Sequence, residues 1–272
     1  MRKTFAQVLQ EGKVDIKREY YRLFSLFFDK DSRDHKSLYD IIANNFDEIW
    51  FRGTAISLDD FNEEHGFDFS KKPEDPTIDD LVCFSEYFYN LIIANGSDWL
   101  LGPNLAYYTH HVSKLLEHIG YIQSTDNGIT IFVEKDPVAI SVAELLPEDV
   151  SYKVISYHHH SMNGNLNAKK ETLLKLAELL EPKDKQLHNI DDKLKSDLFN
   201  AFNNLNLRHN NIDPNDKGNY RKYIAEMDKS ELEKWYDEVY QMCLLAFLLL
   251  EQAERKPKFD DLMKKVNSKE KV

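Results

Sequence analysis

Cysteine is nearly absent: two occur in 272 residues. Cys83 and Cys243 lie on separate apolar helical patterns, which argues against a disulfide framework and for two core thiols in a reducing compartment. The amino-terminal stretch Met1–Gln10 has no continuous apolar core, so no secretory leader is read there. The longest apolar run, Met242–Leu250, is about half of the roughly 20 residues a membrane span needs. A cytoplasmic protein without a membrane segment is the expectation. Metal-ligand spacing is missing too. His111 and His118 share a helical face without a third ligand, and Asp59-Asp60, Glu63-Glu64 and Asp68 do not follow the EF-hand order of oxygens. His158-His159-His160, read as an extended segment, would turn His158 and His160 to one face and His159 to the other. No metal and no cofactor are expected.

Cations are scarce in the first half. The chain carries a net charge of −12, and nearly all of the acidic excess lies before Val150. A polyanion is therefore repelled by the first half and not by the second. This change in charge balance places the expected domain boundary near Val150, giving an acidic domain 1–150 and a second domain 151–272.

Apolar residues at three- and four-residue steps predict a mostly α-helical chain. Helices are expected at Thr4–Gln10, Asp15–Phe28 and Lys36–Phe51, followed by an irregular acidic loop, Gly53–Pro76. Asp75 and Pro76 read as the cap and first residue of a helix running to about Asn95. After Gly102-Pro103, a helix over Asn104–Ile119 ends at Gly120. Tyr121–Gln123 and Ile129–Glu134 then flank Asn127-Gly128, a two-residue hairpin turn. Val138–Val142 and Lys153–Tyr157 read as short strands. Helices at Ala168–Leu180 and Lys185–Leu207 lead to a turn-rich loop, Asn211–Asn219. Ser230 with Glu233 forms a capping box for a helix to Glu254, stopped by Pro257 and followed by a short closing helix, Phe259–Val266. The apolar run Met242–Leu250 wraps this helix all round, which predicts burial on every side, one side of it against another surface.

Helix, helix, hairpin is the order of a winged-helix unit, and Val112–Ile122 has the form of a recognition helix entering a wing. Its charge argues against DNA. The helix offers only Lys114 with His110 and His111, and acidic residues outnumber basic ones across the whole unit. A wing kept for protein contacts fits better, with a DNA-binding regulator as the third reading.

One stretch concentrates chemistry: Leu198–Asn211 closes on Arg208-His209-Asn210-Asn211, where a fixed cation, an imidazole and two amides adjoin. Residues 151–265 resemble the HEPN-type helical domain of bacterial abortive-infection (AbiJ-like) phage-defence proteins. The matching pieces are Gly164-Asn165-Leu166 leading into Lys169-Lys170-Glu171, then Leu176–Pro182, Leu198-Phe199, Asn203–Asn211 and Trp235-Tyr236-Asp237. The resemblance implies a helical bundle and a dimeric, metal-independent ribonuclease in which an Arg and a His from each protomer share a cleft. It makes Arg208 the phosphate clamp, His209 the acid–base residue, and Asn210 and Asn211 groups that bind RNA or orient the pair. The usual motif sets the His several residues after the Arg, whereas here His209 follows Arg208 directly and no later His exists.

The residue types suit that chemistry. RNA can be cut by its own 2′-hydroxyl if one group moves protons and another steadies the phosphorane; imidazole does the first and a planar guanidinium the second. The implied protein is an abortive-infection endoribonuclease with RNA as substrate, a second copy as partner, and an antitoxin or phage trigger protein as regulator. The alternative is a non-catalytic HEPN module binding RNA, nucleotide or a protein. The bland account is a well-made helix end, because Arg and His in a last turn complement free carbonyls and Asn caps readily.

Overall fold

The computed structural model describes residues 14–30, 35–69, 71–95 and 105–268. It is mostly helical with one two-stranded antiparallel sheet and divides into two units, Met1–Lys135 and Asp136–Val272. The expected helix Thr4–Gln10 and the Gly102-Pro103 break lie outside the described residues. No helix among the described residues is long and apolar enough to cross a membrane.

In the first unit, α1 (Ile16–Phe28) begins at Asp15, whose carboxylate accepts from the Arg18 N–H, and buries Tyr20, Leu23, Phe24 and Phe27 on one face. Ser37 and Asp40 form a capping box for α2 (Leu38–Asn44), which gives way to a 3-10 turn at Phe46–Glu48 instead of running on to Phe51. The acidic loop holds a helix, α3 (Leu58–His65). Ser57 caps it, Asp59 and Asp60 favour its positive end, Leu58 and Phe61 are buried, and Gly66 ends it in the left-handed region at φ 71°. The next helix, α4 (Ile78–Ala94), starts two residues later than Asp75-Pro76 implied, because Thr77 and Asp80 make the reciprocal capping bonds. Around α4 gathers an aromatic core in which the Phe27 ring meets Phe84, Tyr87 and Phe88 edge-on at 5.4–6.0 Å.

α5 (Leu105–His118) leads through Gly120 (φ 91°) into β1 (Tyr121–Asp126) and β2 (Ile129–Glu134), paired from Tyr121↔Glu134 to Asp126↔Ile129. The turn residues Asn127 and Gly128 both have positive φ, the combination a tight hairpin with the strands' twist requires. The outer edge of β2 is not left bare. Asn90 of α4 exchanges two 2.8 Å hydrogen bonds with the Thr130 backbone, and Glu86 accepts from the Phe132 N–H.

The second unit begins earlier than the charge pattern suggested. Asp136 caps α6 (Pro137–Ala143), with Pro137 at the first helical position, and α7 (Glu148–Ile155) follows. Both segments read as strands in sequence. They are helices because Ala139, Val142, Val150 and Val154 pack into the core of this unit. Charge balance records surface composition, not core membership. With Asp136, Glu144, Glu148 and Asp149 included, the second unit is itself net acidic. The three histidines do not form a continuous extended segment either: His158 and His160 lie in 3-10 turns, Ser156–His158 and His160–Met162, and only His159 between them is extended.

α8 (Leu166–Leu180), capped by Asn165, ends in a 3-10 turn at Glu181–Lys183. The single helix expected from Lys185 to Leu207 is two, α9 (Asp184–Ile190) and α10 (Asp192–Asn204), because Asp191 turns extended and caps the second. After α11 (Lys222–Glu226) comes α12 (Lys229–Asn267), capped by Asp228 rather than Ser230. Pro257 does not stop it; the helix runs through the proline and absorbs the expected closing helix. α6, α8, α9 and α10 close on α12, where Tyr236, Tyr240, Cys243, Leu244 and Phe247 are buried. The apolar run is not covered all round: Leu245 is 48% exposed.

Candidate functional site

α10 stops at Asn204, so Arg208-His209-Asn210-Asn211 lies in the loop beyond the helix rather than in its last turn. The chain reverses through Asn206, whose φ of 56° is in the left-handed region that Asn tolerates. The Arg208 N–H then bonds back to the Phe202 carbonyl at 3.0 Å.

Asn211 holds this loop together. It is fully buried; its side-chain oxygen accepts from the Asn206 N–H and its amide donates to the Asn219 carbonyl, both at 2.7 Å. Its own carbonyl accepts from the Arg221 N–H at 2.8 Å. Three backbone positions, Asn206, Asn219 and Arg221, are thereby tied to one side chain and its peptide. Its role is to shape the loop.

Arg208 faces inward. Its guanidinium carbon sits 5.0 Å from the Phe202 ring centre and 5.6 Å from that of Phe199. Nη2 is buried 2.7 Å from Glu181 Oε1, with no N–H bond directed along that line, so the contact is a close ion pair more than a hydrogen bond. Glu181 itself is half-exposed, which softens the attraction by solvent screening. His209 and Asn210 are exposed on the loop. The carboxyl of Asp216 is held below its usual range, first by hydrogen bonds from Asn219, with His209 contributing as a neighbouring charge. Within one chain, Arg208 and His209 therefore turn to different surroundings and do not form a shared pair. Arg221 closes the far side, donating from Nε to Asn204 Oδ1 at 2.8 Å.

A second constellation escaped the sequence reading. Lys169 on α8 is 3% exposed, and its ammonium lies 2.8 Å from both Glu233 and Asp237 on α12. It also sits 5.3 Å from the Tyr157 ring centre. The Gly164 N–H donates to the same Glu233 oxygen at 2.8 Å. Burial opposes ionisation of Glu233, yet the bonds from Lys169 and Gly164 outweigh it and hold its pKa below the ordinary value. Tyr157 stacks flat on Tyr240 at 3.9 Å, and the Tyr240 hydroxyl donates to the Val154 carbonyl. Burial, with Asp237 second, pushes the Tyr157 pKa well up. Gly164, Lys169 and Asp237 thus meet around Glu233. The signal was the i, i+4 pair Glu233 and Asp237, whose common helix face can grip one lysine. The arrangement clamps α8 to α12, and with the Lys169 ammonium taken up by both carboxylates it is structural.

In the first unit, α5 offers Lys114 as its one lysine, and that lysine is ion-paired with Glu117 at 2.6 Å. His111, Lys114 and His118 line a groove of about 380 Å³ together with Arg18, Asp15 and Glu19. No known family model, curated protein or solved structure matches the chain.

Proposed function

We propose that the second unit is a HEPN-type module of an abortive-infection defence protein and that it acts on RNA at the Arg208–Asn211 loop as a metal-independent endoribonuclease. The observation that supports this reading is the loop itself: a buried Asn211 fixes the backbone so that an exposed imidazole, His209, adjoins a fixed cation, Arg208. His209 takes the proton of the 2′-hydroxyl or returns one to the leaving oxygen. Arg208, already oriented by two aromatic rings, presents its remaining N–H donors to the phosphate. Because the two side chains of one chain diverge, the complete pair is assembled from two copies. The first unit, Met1–Lys135, holds the wing-like hairpin and serves as the sensor for a trigger or antitoxin.

A second reading has its own support. The Glu181–Arg208 ion pair already neutralises the cation, which suits a module that binds RNA without cutting it. The experiment is RNA cleavage and RNA binding by the full chain in excess EDTA, for wild type, Arg208→Ala, His209→Ala and Glu181→Gln. Cleavage that disappears in His209→Ala while binding persists supports the enzyme. Binding without cleavage, raised in Glu181→Gln, supports the second reading. Neither cleavage nor binding overturns both.

A further inference from the structure

Past the bundle, α12 continues alone. Every residue from Gln252 to Ser268 is exposed, although the helix persists to Asn267. The last tie to its own unit among the described residues is the ion pair of Glu254 with Lys183 at 3.6 Å, and no residue beyond it is buried. A helix of this length is marginal in water by itself, and Pro257 costs it about 3 kcal/mol more by removing an internal hydrogen bond and crowding the preceding turn. The stretch is nevertheless amphipathic: Phe259, Leu262, Met263 and Val266 are exposed apolar side chains.

Their spacing extends back into the bundle. From the exposed Leu245, steps of four and three residues lead through Leu249, Gln252 and Lys256 to Phe259, Met263 and Val266. The spacing is that of a heptad seam, with Leu245, Gln252, Phe259 and Val266 at d positions and Leu249, Lys256 and Met263 at a positions. At 100° per residue, Met263 lies directly in line with Leu245, and both point away from the core-facing Cys243 and Phe247. Pro257 falls on a b position, on the side away from the seam.

We propose that α12 pairs in parallel with the α12 of a second copy of this chain along this seam. Charge selects the occupant and the direction. In a parallel pair a g residue faces the e residue five positions on in the other helix. Arg255 is at g and Asp260 at e, so each Arg255 meets the partner's Asp260, twice by symmetry. Arg255 is 67% exposed and bonded only along its own helix, to Glu251 at 3.1 Å, so it can reach across. An antiparallel pair sets like flanks together and loses this match. Gln252 and Lys256 interrupt the apolar seam, and polar residues at such positions fix register and strand number at a cost in stability. This surface is distinct from the Arg208 loop and stands whether or not that loop acts on RNA.

The test is light scattering and disulfide trapping on the full chain. Wild type should have twice the mass of the 32.0 kDa chain at micromolar concentration. The variant F259D/M263D should dimerise roughly a hundredfold more weakly, since two apolar side chains per chain lose their burial, and its circular dichroism should fall by no more than the share of the helix past Gln252. R255E should weaken the dimer and R255E/D260R should restore it. Leu245→Cys and Val266→Cys should each give an interchain disulfide that wild type does not. A monomeric wild type, a dimer untouched by F259D/M263D, or a protein that stays monomeric while binding anionic phosphatidylserine vesicles through this stripe overturns the proposal.

Discussion

Replacing Lys169 with methionine keeps the aliphatic stem and removes the ammonium from between Glu233 and Asp237. Two charge-assisted hydrogen bonds vanish, each worth about 1.5–3 kcal/mol, and two carboxylates face each other uncompensated. Removing one member of a fully buried pair costs about 3–5 kcal/mol. Here Glu233 is 19% and Asp237 36% exposed, so partial rehydration discounts the loss and sets it near 3 kcal/mol. For a unit the size of Asp136–Val272, an unfolding entropy of about 0.3 kcal/mol/K turns this into a fall in Tm of about 10 °C. Calorimetry gives the shift, and hydrogen exchange should localise the lost protection to α8 and α12. Adding Glu233→Gln to Lys169→Met should recover part of the loss, because the orphaned charge goes with it. The pH dependence follows with its sign. Glu233 has a folded pKa below its ordinary value of 4.5, so its stabilisation is present above that value and is lost as pH falls through the folded pKa. The advantage of wild type over Lys169→Met should therefore shrink below pH 4.5. A Tm change under about 3 °C, or an advantage that grows in acid, would refute the clamp.

Asn211→Ala should cost about 2–3 kcal/mol, since it strips two hydrogen bonds and leaves the part-buried Asn206 N–H unpaired; exchange at Asn206 should rise before global unfolding. In the hairpin, Gly128 has φ 84°, and a Cβ there would meet Trp50 at 3.2 Å. Gly128→Ala should therefore destabilise the first unit by about 1–2 kcal/mol in urea melts. Burial, with Glu86 and Asp80 adding, pushes the Cys83 thiol up to about 11 from 9.0, and burial also raises Cys243. Native protein at pH 8 should react with a thiol reagent at roughly a hundredth of the free-cysteine rate, and both thiols should be released on unfolding. Rapid native labelling of Cys243 would contradict the core packing.

Arg208 shows how far a motif can carry a site. The sequence pointed to the cation and the imidazole together. It could not say that Phe199 and Phe202 would seat the guanidinium, or that Glu181, from the turn after a different helix, would reach it. Nor could it say that Asn211 would be consumed in bracing the loop instead of facing a ligand.

Local chemistry determined what adjacent residues can settle among themselves. The Asn127-Gly128 turn, the apolar face of α1, the break at Gly120 and the apolar stripe of α8 were all readable because each depends on dihedral preference or helical period within a few residues. Tertiary structure decided the rest. Acidic residues between Gly53 and Pro76 suggested a solvated loop, yet burial of Leu58 and Phe61 made part of it a helix. Valines between Val138 and Tyr157 favoured strands in isolation, yet packing against α12 made helices. Ser230 fitted a capping pattern, but Asp228 was placed to make the bond. Lys169 had a place in a motif but no role until Glu233 and Asp237, far along the chain, closed over it. In each case propensities worth less than about 1 kcal/mol per residue yielded to burial worth about 1.5–3 kcal/mol per side chain, and only the assembled core fixes which side chains are buried.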